Sequence, residues 1–345
     1  MIEILTTGGV NSVQDPGRFG YLDAGVGRAG AMDGPALELA NRMIGNDASC
    51  AGIEVALFPF RLRVHASITM AVTGADAPLR LNGRQLPIWW AVQAASGDVV
   101  EIGIPRAGAR VYLAFSGGID VPEVLGSRAT DLKSRWGGLD GRGLRRGDQL
   151  KIMGGAALPA ALTAGFGLDP TELGRTVSAQ DATRLRVLPS AEHSLFTSES
   201  LSDFYGSDWL VTDEANRQGY RLAGAQLAPA RKVELFSHGI MPGTVQVPPS
   251  GQPIIQLAEA NTCGGYPKIA NVIEADLWKL AQAASGARLR FVAVDRAEAI
   301  SAWAQQGASL DRLATFATLA RKGTNPLTSL AATMPRSETS SGVNS

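Results

Sequence analysis

Cysteine and histidine are scarce in this sequence of 345 residues. The two cysteines are Cys50 and Cys263, and the three histidines are His65, His193 and His238. Because these residues lie far apart along the chain, their spacing is typical of neither a zinc site nor a disulfide framework. We therefore predict that the protein has no metal site.

The sequence also lacks an excess of charge and long apolar runs. Lys plus Arg and Asp plus Glu both total 32, and no long basic run occurs, so nucleic acid is not an expected partner. No apolar run approaches the length that spans a bilayer, and the N-terminal segment, which carries Glu3, does not read as a signal peptide. We expect a cytoplasmic protein without a membrane partner.

What the sequence does contain is enough apolar residues for a large core, arranged as short strands. Hydrophobic residues make up 45% of the chain. Apolar and polar residues alternate at 60–64 and 68–72, and Asn82-Gly83 marks the tip of a hairpin. Asp33 is placed to cap a short helix at 35–44. The strand spacing predicts a closed or sandwiched antiparallel sheet.

Changes in composition divide the chain into segments. Residues 156–180 carry little charge, whereas a second series of strand patterns follows them. Leu310, Leu313 and Phe316 have helical spacing, and a Ser/Thr-rich tail ends the sequence. The predicted division is a first β unit at 1–155, a linker at 156–180, a second β unit at 181–300, a C-terminal helix at 301–323 and a disordered tail at 324–345.

The stretch 247–269 has the clearest pattern of a binding site. An apolar strand pattern at 253–258 runs into polar residues and then into two glycines. Backbone N–H groups at two glycines can form a concavity for a carboxylate or phosphate oxygen, and a lysine would add positive charge beside it. A hairpin turn with a solvated lysine is the simpler interpretation. The candidate residues are Asn261, Thr262, Gly264, Gly265, Tyr266 and Lys268.

Two other segments carry candidate ligand-binding residues. Gln14, Asp15 and Arg18 lie in a loop with strong turn chemistry, where Asp15 either caps the turn and pairs with Arg18 or faces a substrate. Residues 128–146 are rich in cations that include Arg128 and Arg142, and glycine turns among them allow the cations to converge on an anion. A solvated, salt-bridged loop is the alternative.

One glycine pattern is rejected as a nucleotide-binding site. Gly25-x-Gly27-x-x-Gly30 matches a dinucleotide fingerprint by letter, but no buried strand pattern leads into it. We interpret it as a flexible loop that ends at Asp33.

Three blocks of sequence together resemble one protein family. Gly-Gly-Tyr-Pro-Lys-Ile-Ala at 264–270 follows Pro-Gly-Thr-Val-Gln-Val-Pro-Pro-Ser-Gly-Gln-Pro-Ile at 242–254, and further matching blocks lie at 13–33 and 126–142. The chain resembles the KipA-type family of biotin-dependent carboxyltransferases. That family includes the C subunit of 5-oxoprolinase, the second subunit of allophanate hydrolase and the second half of the urea amidolyase carboxyltransferase domain, its subdomains C and D.

The resemblance implies a mainly β fold with short helices, built as two cyclophilin-like β-barrel subdomains. It also implies an enzyme component that is inactive without its partners, namely a KipI-like or B-type subunit and an A-type subunit. ATP would be held on a partner or shared with it, because the chain has no Walker A motif. Biotin, if used, would arrive on a separate carrier, because no Met-Lys-Met acceptor motif is present.

Three functions remain open under this resemblance. The first is the C subunit of an ATP-dependent 5-oxoprolinase, which opens the lactam of 5-oxoproline to L-glutamate, with Lys268 and Arg142 stabilising the developing negative charge. The second is half of a carboxyltransferase that moves a carboxyl group from carboxybiotin to urea or a related amide, with Asn261 and Thr262 orienting the acceptor nitrogen. The third is a non-catalytic regulator that binds a KipI-like partner.

The sequence departs from the family pattern at three positions. Asn261 and Cys263 stand where glutamine and threonine are expected, and His238 stands where an acidic residue is expected. Because these positions flank the proposed pocket, they bear on the substrate more than on the architecture.

Overall fold

The computed structural model describes residues 1–159, 162, 164–175, 181–231 and 234–322 of the chain. The predicted tail at 324–345 lies outside the described residues. Strands dominate the described chain, and a closed seven-stranded barrel forms its second half. The predicted mainly β class is therefore confirmed.

Twelve short strands build the first half. They are β1 (Ile2–Thr6), β2 (Ser12–Gln14), β3 (Gly52–Val55), β4 (Phe60–Val64), β5 (Ile68–Asp76), β6 (Leu79–Leu81), β7 (Arg84–Leu86), β8 (Trp90–Ala94), β9 (Val99–Ile102), β10 (Ala107–Phe115), β11 (Gln149–Leu150) and β12 (Phe166–Gly167). They form two six-stranded sheets, in the orders β11-β1-β4-β9-β6-β7 and β12-β8-β5-β10-β3-β2. The pairings within both sheets are antiparallel.

The alternating pattern of the sequence explains how these sheets enclose a core. In β4, Phe60, Leu62 and Val64 are buried whereas the arginines between them are exposed. The buried residues join one apolar cluster that contains side chains from both sheets. Asn82 and Gly83 form the predicted hairpin tip between β6 and β7, and both have positive φ, at 49° and 78°.

Nine strands build the second half. They are β13 (Thr183–Pro189), β14 (Trp209–Val211), β15 (Gly219–Ala223), β16 (His238–Gly239), β17 (Thr244–Gln246), β18 (Ile254–Gln256), β19 (Cys263–Gly264), β20 (Lys268–Val272) and β21 (Arg288–Ala293). Seven of them close the barrel in the order β13-β20-β17-β18-β15-β14-β21, in which β13 and β21 run parallel. The remaining two, β16 and β19, pair with each other.

The segment predicted as a linker at 156–180 contains ordered elements. Strand β12 pairs with β8 and so extends a sheet of the first half. A 3-10 turn at Pro170–Leu173 follows, with Asp169 accepting a bond from the Thr171 amide at its start. The predicted segment boundaries stay a prediction.

Four α-helices complete the described chain. They are α1 (Gly34–Met43), α2 (Ser198–Gly206), α3 (Leu277–Gln282) and α4 (Arg296–Arg321). Asp33 caps α1 as predicted, since its Oδ1 accepts a bond from the Ala36 amide at 3.1 Å. Helix α4 is 26 residues long and begins before the predicted residue 301, because Asp295 and Glu298 form a capping box.

Helix α4 contacts both halves of the protein. Leu310, Leu313 and Ala317 belong to an apolar cluster with α1, while Ala302 contacts a cluster with Ile273. None of the described helices combines the length and hydropathy that a membrane span requires.

Candidate functional site

Lys268 is the first residue of β20, and the register of β20 against β17 determines the direction of its side chain. Val245 pairs with Ala270, whereas the next residue, Gln246, pairs with Lys268, so Ile269 is an extra residue in the ladder. A bulge of this kind redirects the neighbouring side chain and is common beside functional sites. Lys268 is only 3% exposed, although its residue type is normally on the surface.

The Lys268 ammonium is held by backbone carbonyls and faces two ionisable side chains. Its Nζ donates to the carbonyl oxygens of Gly264 at 3.1 Å and Tyr266 at 3.3 Å, and it lies 3.4 Å from Nδ1 of His238. The imidazole Nε2 of His238 lies 3.3 Å from Oε1 of Glu192. Burial lowers the pKa of Lys268, and the Glu192 carboxylate opposes that effect. The predicted lysine is therefore a buried cation within a short polar chain.

The two glycines beside Lys268 act differently from the prediction. Neither Gly264 nor Gly265 has positive φ, so the alternating backbone of an anion-binding concavity does not form there. A Cβ on Gly264 would lie 2.6 Å from Nε2 of Gln246. A Cβ at 264 would therefore displace the end of the Gln246 side chain.

Asn261 and Thr262 lie on the segment that leads into β19. The Lys133 ammonium of the first half donates to Oδ1 of Asn261, and the Thr262 carbonyl accepts a bond from the Ile240 amide at 3.0 Å. Tyr266 is 48% exposed. Asn261 thus joins the two halves of the chain, and Tyr266 lies at the surface above Lys268.

The predicted loop at Asp15 and Arg18 forms a buried junction with residues 124–130. The Asp15 carboxylate accepts bonds from the Gly17 amide, the Ser127 hydroxyl and the Arg128 amide. The Arg18 guanidinium donates to the carbonyls of Val124 and Ala129 and lies over the ring of Trp136, and burial lowers its pKa.

Gln14 and Arg128 complete this junction. Nε2 of Gln14 donates to the Ser12 hydroxyl and the Thr130 carbonyl. The Arg128 side chain pairs with Glu123 at 3.0 Å. The contacts of both side chains lie within the first half of the chain, where they fix the loop at 15–18 against residues 123–130.

Arg142 is already neutralised by a neighbouring carboxylate. Its two terminal nitrogens contact the two oxygens of Asp148, at 2.7 and 3.0 Å. This bond is the main reason that the pKa of Arg142 is raised, and bidentate pairs of this kind are strong. The cations at Arg142 and Lys268 therefore have separate partners.

The structure contains a buried charge network that sequence reasoning missed. Arg217 of the barrel binds Glu54 of the first half and Glu259, the latter at 2.6 Å. Arg110 lies 3.5 Å from Glu54, and the Tyr112 hydroxyl donates to Glu54 at 2.8 Å. Burial acts against the charge on Glu54, but Arg217 and Arg110 outweigh it, so the pKa of Glu54 is lowered.

This network lies beside a cleft between the two halves. The cleft has a volume of about 480 Å³, and its walls include Arg110, Arg217 and Glu259 together with Lys133. One sequence signal was available, because Glu54 is a charged residue within the otherwise apolar strand β3. Its partner Arg217 is 163 residues away and could not be assigned from the sequence.

The glycine pattern at 25–30 does not fit a nucleotide. A Cβ on Gly30 would lie 2.7 Å from the Pro16 carbonyl, and Gly30 has a φ of 85°. Gly30 therefore allows close packing against the loop at 15–18. Residues 15–24 are all described, and they contain no strand that could lead into the glycine pattern. Among the described residues, no group of three or more His, Cys, Asp or Glu side chains could hold a metal ion.

The chain has a closed barrel, a second β unit joined to it by buried charges, and a polar cluster at the β17–β20 ladder. It is a mainly β enzyme-associated domain of the carboxyltransferase type. The chain belongs to the family described as "Carboxyltransferase domain, subdomain A and B", whose model matches residues 24–293. The resemblance to this type of carboxyltransferase is confirmed, and the matched description names subdomains A and B where the sequence resemblance named C and D.

Relatives of known name agree with this family. The chain is 38% identical to the C subunit of 5-oxoprolinase from Escherichia coli, over 91% of this chain and 98% of that protein. It is 33% identical to urea amidolyase of Saccharomyces cerevisiae, over 84% of this chain but 16% of that protein. The crystal structure of Kluyveromyces lactis urea carboxylase matches with a TM-score of 0.82 and 30% identity, over 90% of this chain and 29% of that one.

Proposed function

We propose that this chain is the C subunit of a multi-subunit, ATP-dependent 5-oxoprolinase that opens the lactam of 5-oxoproline to L-glutamate. The observation that carries the proposal is the end-to-end similarity to the E. coli protein, of which the match spans 98%. The urea amidolyase matches cover 18% or less of much longer chains.

The chemistry of lactam opening suits the cluster at Lys268. Attack on the amide carbonyl places negative charge on its oxygen, and a fixed cation in a site of low water content stabilises that charge. Lys268 is such a cation, since two carbonyls hold it and burial restricts water around it. Arg142 is left out of this role because Asp148 already neutralises it.

Further polypeptides complete the proposed enzyme. The E. coli relative is named as one subunit of 5-oxoprolinase, which supports the presence of others, and we propose a KipI-like or B-type subunit and an A-type subunit as the partners. We place ATP on a partner or at a site shared with it, and the close packing of Gly30 against Pro16 supports this by making the glycine pattern at 25–30 a poor phosphate site.

A carboxyltransferase half is the second candidate function. The matching family model and the structural similarity to urea carboxylase favour it. Biotin on a separate carrier would supply the carboxyl group, and urea or a related amide would accept it. Lys268 would then hold the carboxylate, while Asn261 and Thr262 would orient the acceptor nitrogen.

The two functions are separated by assays on the complex of this chain with its partners. One assay measures ATP-dependent glutamate release from 5-oxoproline, and the other measures carboxyl transfer to urea. We expect activity in the first assay that depends on this chain. Carboxyl transfer alone would support the second candidate, and a tight complex that is silent in both assays would favour a KipI-binding regulator instead.

A further inference from the structure

The cleft between the two halves of the chain has the size and the openness of a site for a small molecule. Its volume of about 480 Å³ lies within the range of ligand pockets, about 300–1,000 Å³. Its walls include the exposed side chains of Leu57 and Lys133 together with buried polar side chains, so the cleft extends from the surface into the interior. The polar residues that line it are Arg110, Lys133, Asn216, Arg217, Gln218, Tyr220, Glu259 and Ser285.

The charges along this cleft leave one cation without a counterion. Arg110 and Arg217 are balanced by the carboxylates of Glu259, which lines the cleft, and of Glu54, which does not. The Lys133 ammonium forms no ion pair with any of the described residues. A charge of opposite sign in the cleft would therefore find its partner at Lys133.

Several hydrogen-bond donors of the lining are also unused. Arg110 is 7% exposed, and its Nη1 donates to the Tyr220 hydroxyl at 2.9 Å, but its Nε makes no hydrogen bond to the described chain and lies 3.5 Å from Glu54. Nζ of Lys133 makes one of the three hydrogen bonds that it can donate. A buried donor without a partner is uncommon in a folded protein and calls for an explanation.

We propose that this cleft binds a small molecule with one negative charge, whose carboxylate pairs with Lys133 and whose other polar groups meet the buried polar lining. The apolar lining residues Val10, Ala56 and Leu132 would contact its carbon atoms. The substrate and the product of the proposed function, 5-oxoproline and L-glutamate, both carry a carboxylate and one net negative charge, so the identity of the molecule rests on that function. Lys268 does not line the cleft, and this site is therefore independent of the role given to Lys268.

The carboxylates near the cleft favour a single negative charge over the double charge of a phosphate. Glu259 lines the cleft, and Asp213 accepts a bond from the lining residue Ser285. Both carboxylates would repel a dianion more strongly than a monoanion, while Lys133 offers one positive charge in return.

Substitutions at Lys133 test the site, because this side chain is exposed and its loss spares the core. Lys133→Met removes the charge, Lys133→Glu reverses it, and Lys133→Arg keeps it. Lys151→Met is the matched control, since Lys151 is also exposed in the first half but does not line the cleft. Calorimetric titration of the full chain uses four probes, which are 5-oxoproline, L-glutamate, inorganic phosphate and 2-pyrrolidinone, the lactam without a carboxylate.

We expect the wild type to bind 5-oxoproline, L-glutamate or both, and to bind 2-pyrrolidinone and phosphate at least tenfold more weakly. Lys133→Met should weaken binding of the carboxylate about tenfold, because a charged hydrogen bond is lost, and Lys133→Glu should weaken it further. Lys133→Arg should restore most of the affinity, and Lys151→Met should bind as the wild type does.

Unchanged affinity in Lys133→Glu would overturn the proposal, as would equal binding of 5-oxoproline and 2-pyrrolidinone, tighter binding of phosphate, or binding of neither carboxylate. Affinity lost in Lys268→Met but kept in Lys133→Glu would also reject this cleft as the site. The proposed function is judged separately, by glutamate release from the complex with the partners. Carboxylate binding that depends on Lys133 in a complex without glutamate release would uphold this site and reject the 5-oxoprolinase function.

Discussion

At the scale of single residues, Lys268 shows what the sequence could and could not predict. Its position after two glycines predicted a cation beside an anion-binding concavity of backbone N–H groups, whereas the structure places the amine against the Gly264 carbonyl. The reason for Gly264 was missed, because the nearby side chain belongs to Gln246 on another strand. Which strands become neighbours, and with what register, is decided by tertiary packing.

The pH dependence of activity tests the charge of Lys268. Because burial lowers its pKa below the ordinary value of 10.5, the ammonium loses its proton at a lower pH than an exposed lysine does. We expect the rate of glutamate release by the complex to fall on the alkaline side with a midpoint below 10.5. Lys268→Arg keeps its charge at high pH and should lack this alkaline fall, and an unchanged profile in that variant would exclude Lys268 as its cause.

Glu54 gives a second prediction at this scale. Glu54→Gln leaves Arg217 and Arg110 buried with one counterion fewer, so we expect the free energy of unfolding to fall by about 3–5 kcal/mol. The surface pair of Arg61 and Glu101 provides the control, since Glu101→Gln should cost less than about 1 kcal/mol. Equal losses in the two variants in urea denaturation would contradict the role of the buried network.

The same residue sets a dependence of stability on acid. The pKa of Glu54 is lower in the folded protein than in the unfolded chain, so the unfolded chain binds more protons as pH falls. The stabilisation from Glu54 is therefore present above its unfolded pKa and is lost as pH falls through its folded pKa. Urea denaturation over a pH series should show a smaller acid loss in Glu54→Gln than in the wild type.

At the scale of elements, the sequence predicted those strands, turns and helix starts that local pattern determines, but not those that tertiary packing determines. Strand β4 and the hairpin at Asn82-Gly83 follow from local pattern, as does the start of α1. Strand β12 was missed because two residues in a glycine-rich and alanine-rich stretch carry no alternation, and pairing with β8 alone makes them a strand. Strands β16 and β17 are close in the chain but pair with different strands, β16 with β19 and β17 with β18. Their separation therefore could not be predicted from local pattern either.

Helix α4 offers a test of local propensity. Gly307 lies within the helix, and a Cβ there would meet nothing within 4 Å. We expect Gly307→Ala to raise the free energy of unfolding by about 0.5–1 kcal/mol, because glycine loses more backbone entropy in a helix than alanine does. Gly286→Ala is the control: its space is also open, but a φ of 83° makes alanine strained there, so that variant should lose stability. A loss of stability in Gly307→Ala would contradict this account of α4.

At the scale of the whole molecule, two β units are held together by buried charges and by one long helix. Arg217 joins Glu54 to Glu259, and α4 contacts apolar clusters of both units. The sequence predicted the units through their strand patterns and through the family resemblance. It did not predict their junction, because Arg217 and Glu54 are 163 residues apart in the chain and show no local pattern.

The central claim is that the buried Lys268 ammonium stabilises the charge on a substrate oxygen within a complex. The most direct measurement is ATP-dependent glutamate release from 5-oxoproline by the complex carrying Lys268→Met. Lys279→Met serves as the control, because Lys279 of α3 binds Asp276 at 3.0 Å, away from the site. The account predicts a loss of about 100-fold or more in kcat for Lys268→Met and a nearly unchanged rate for Lys279→Met. A Lys268→Met complex that releases glutamate at the wild-type rate would contradict it.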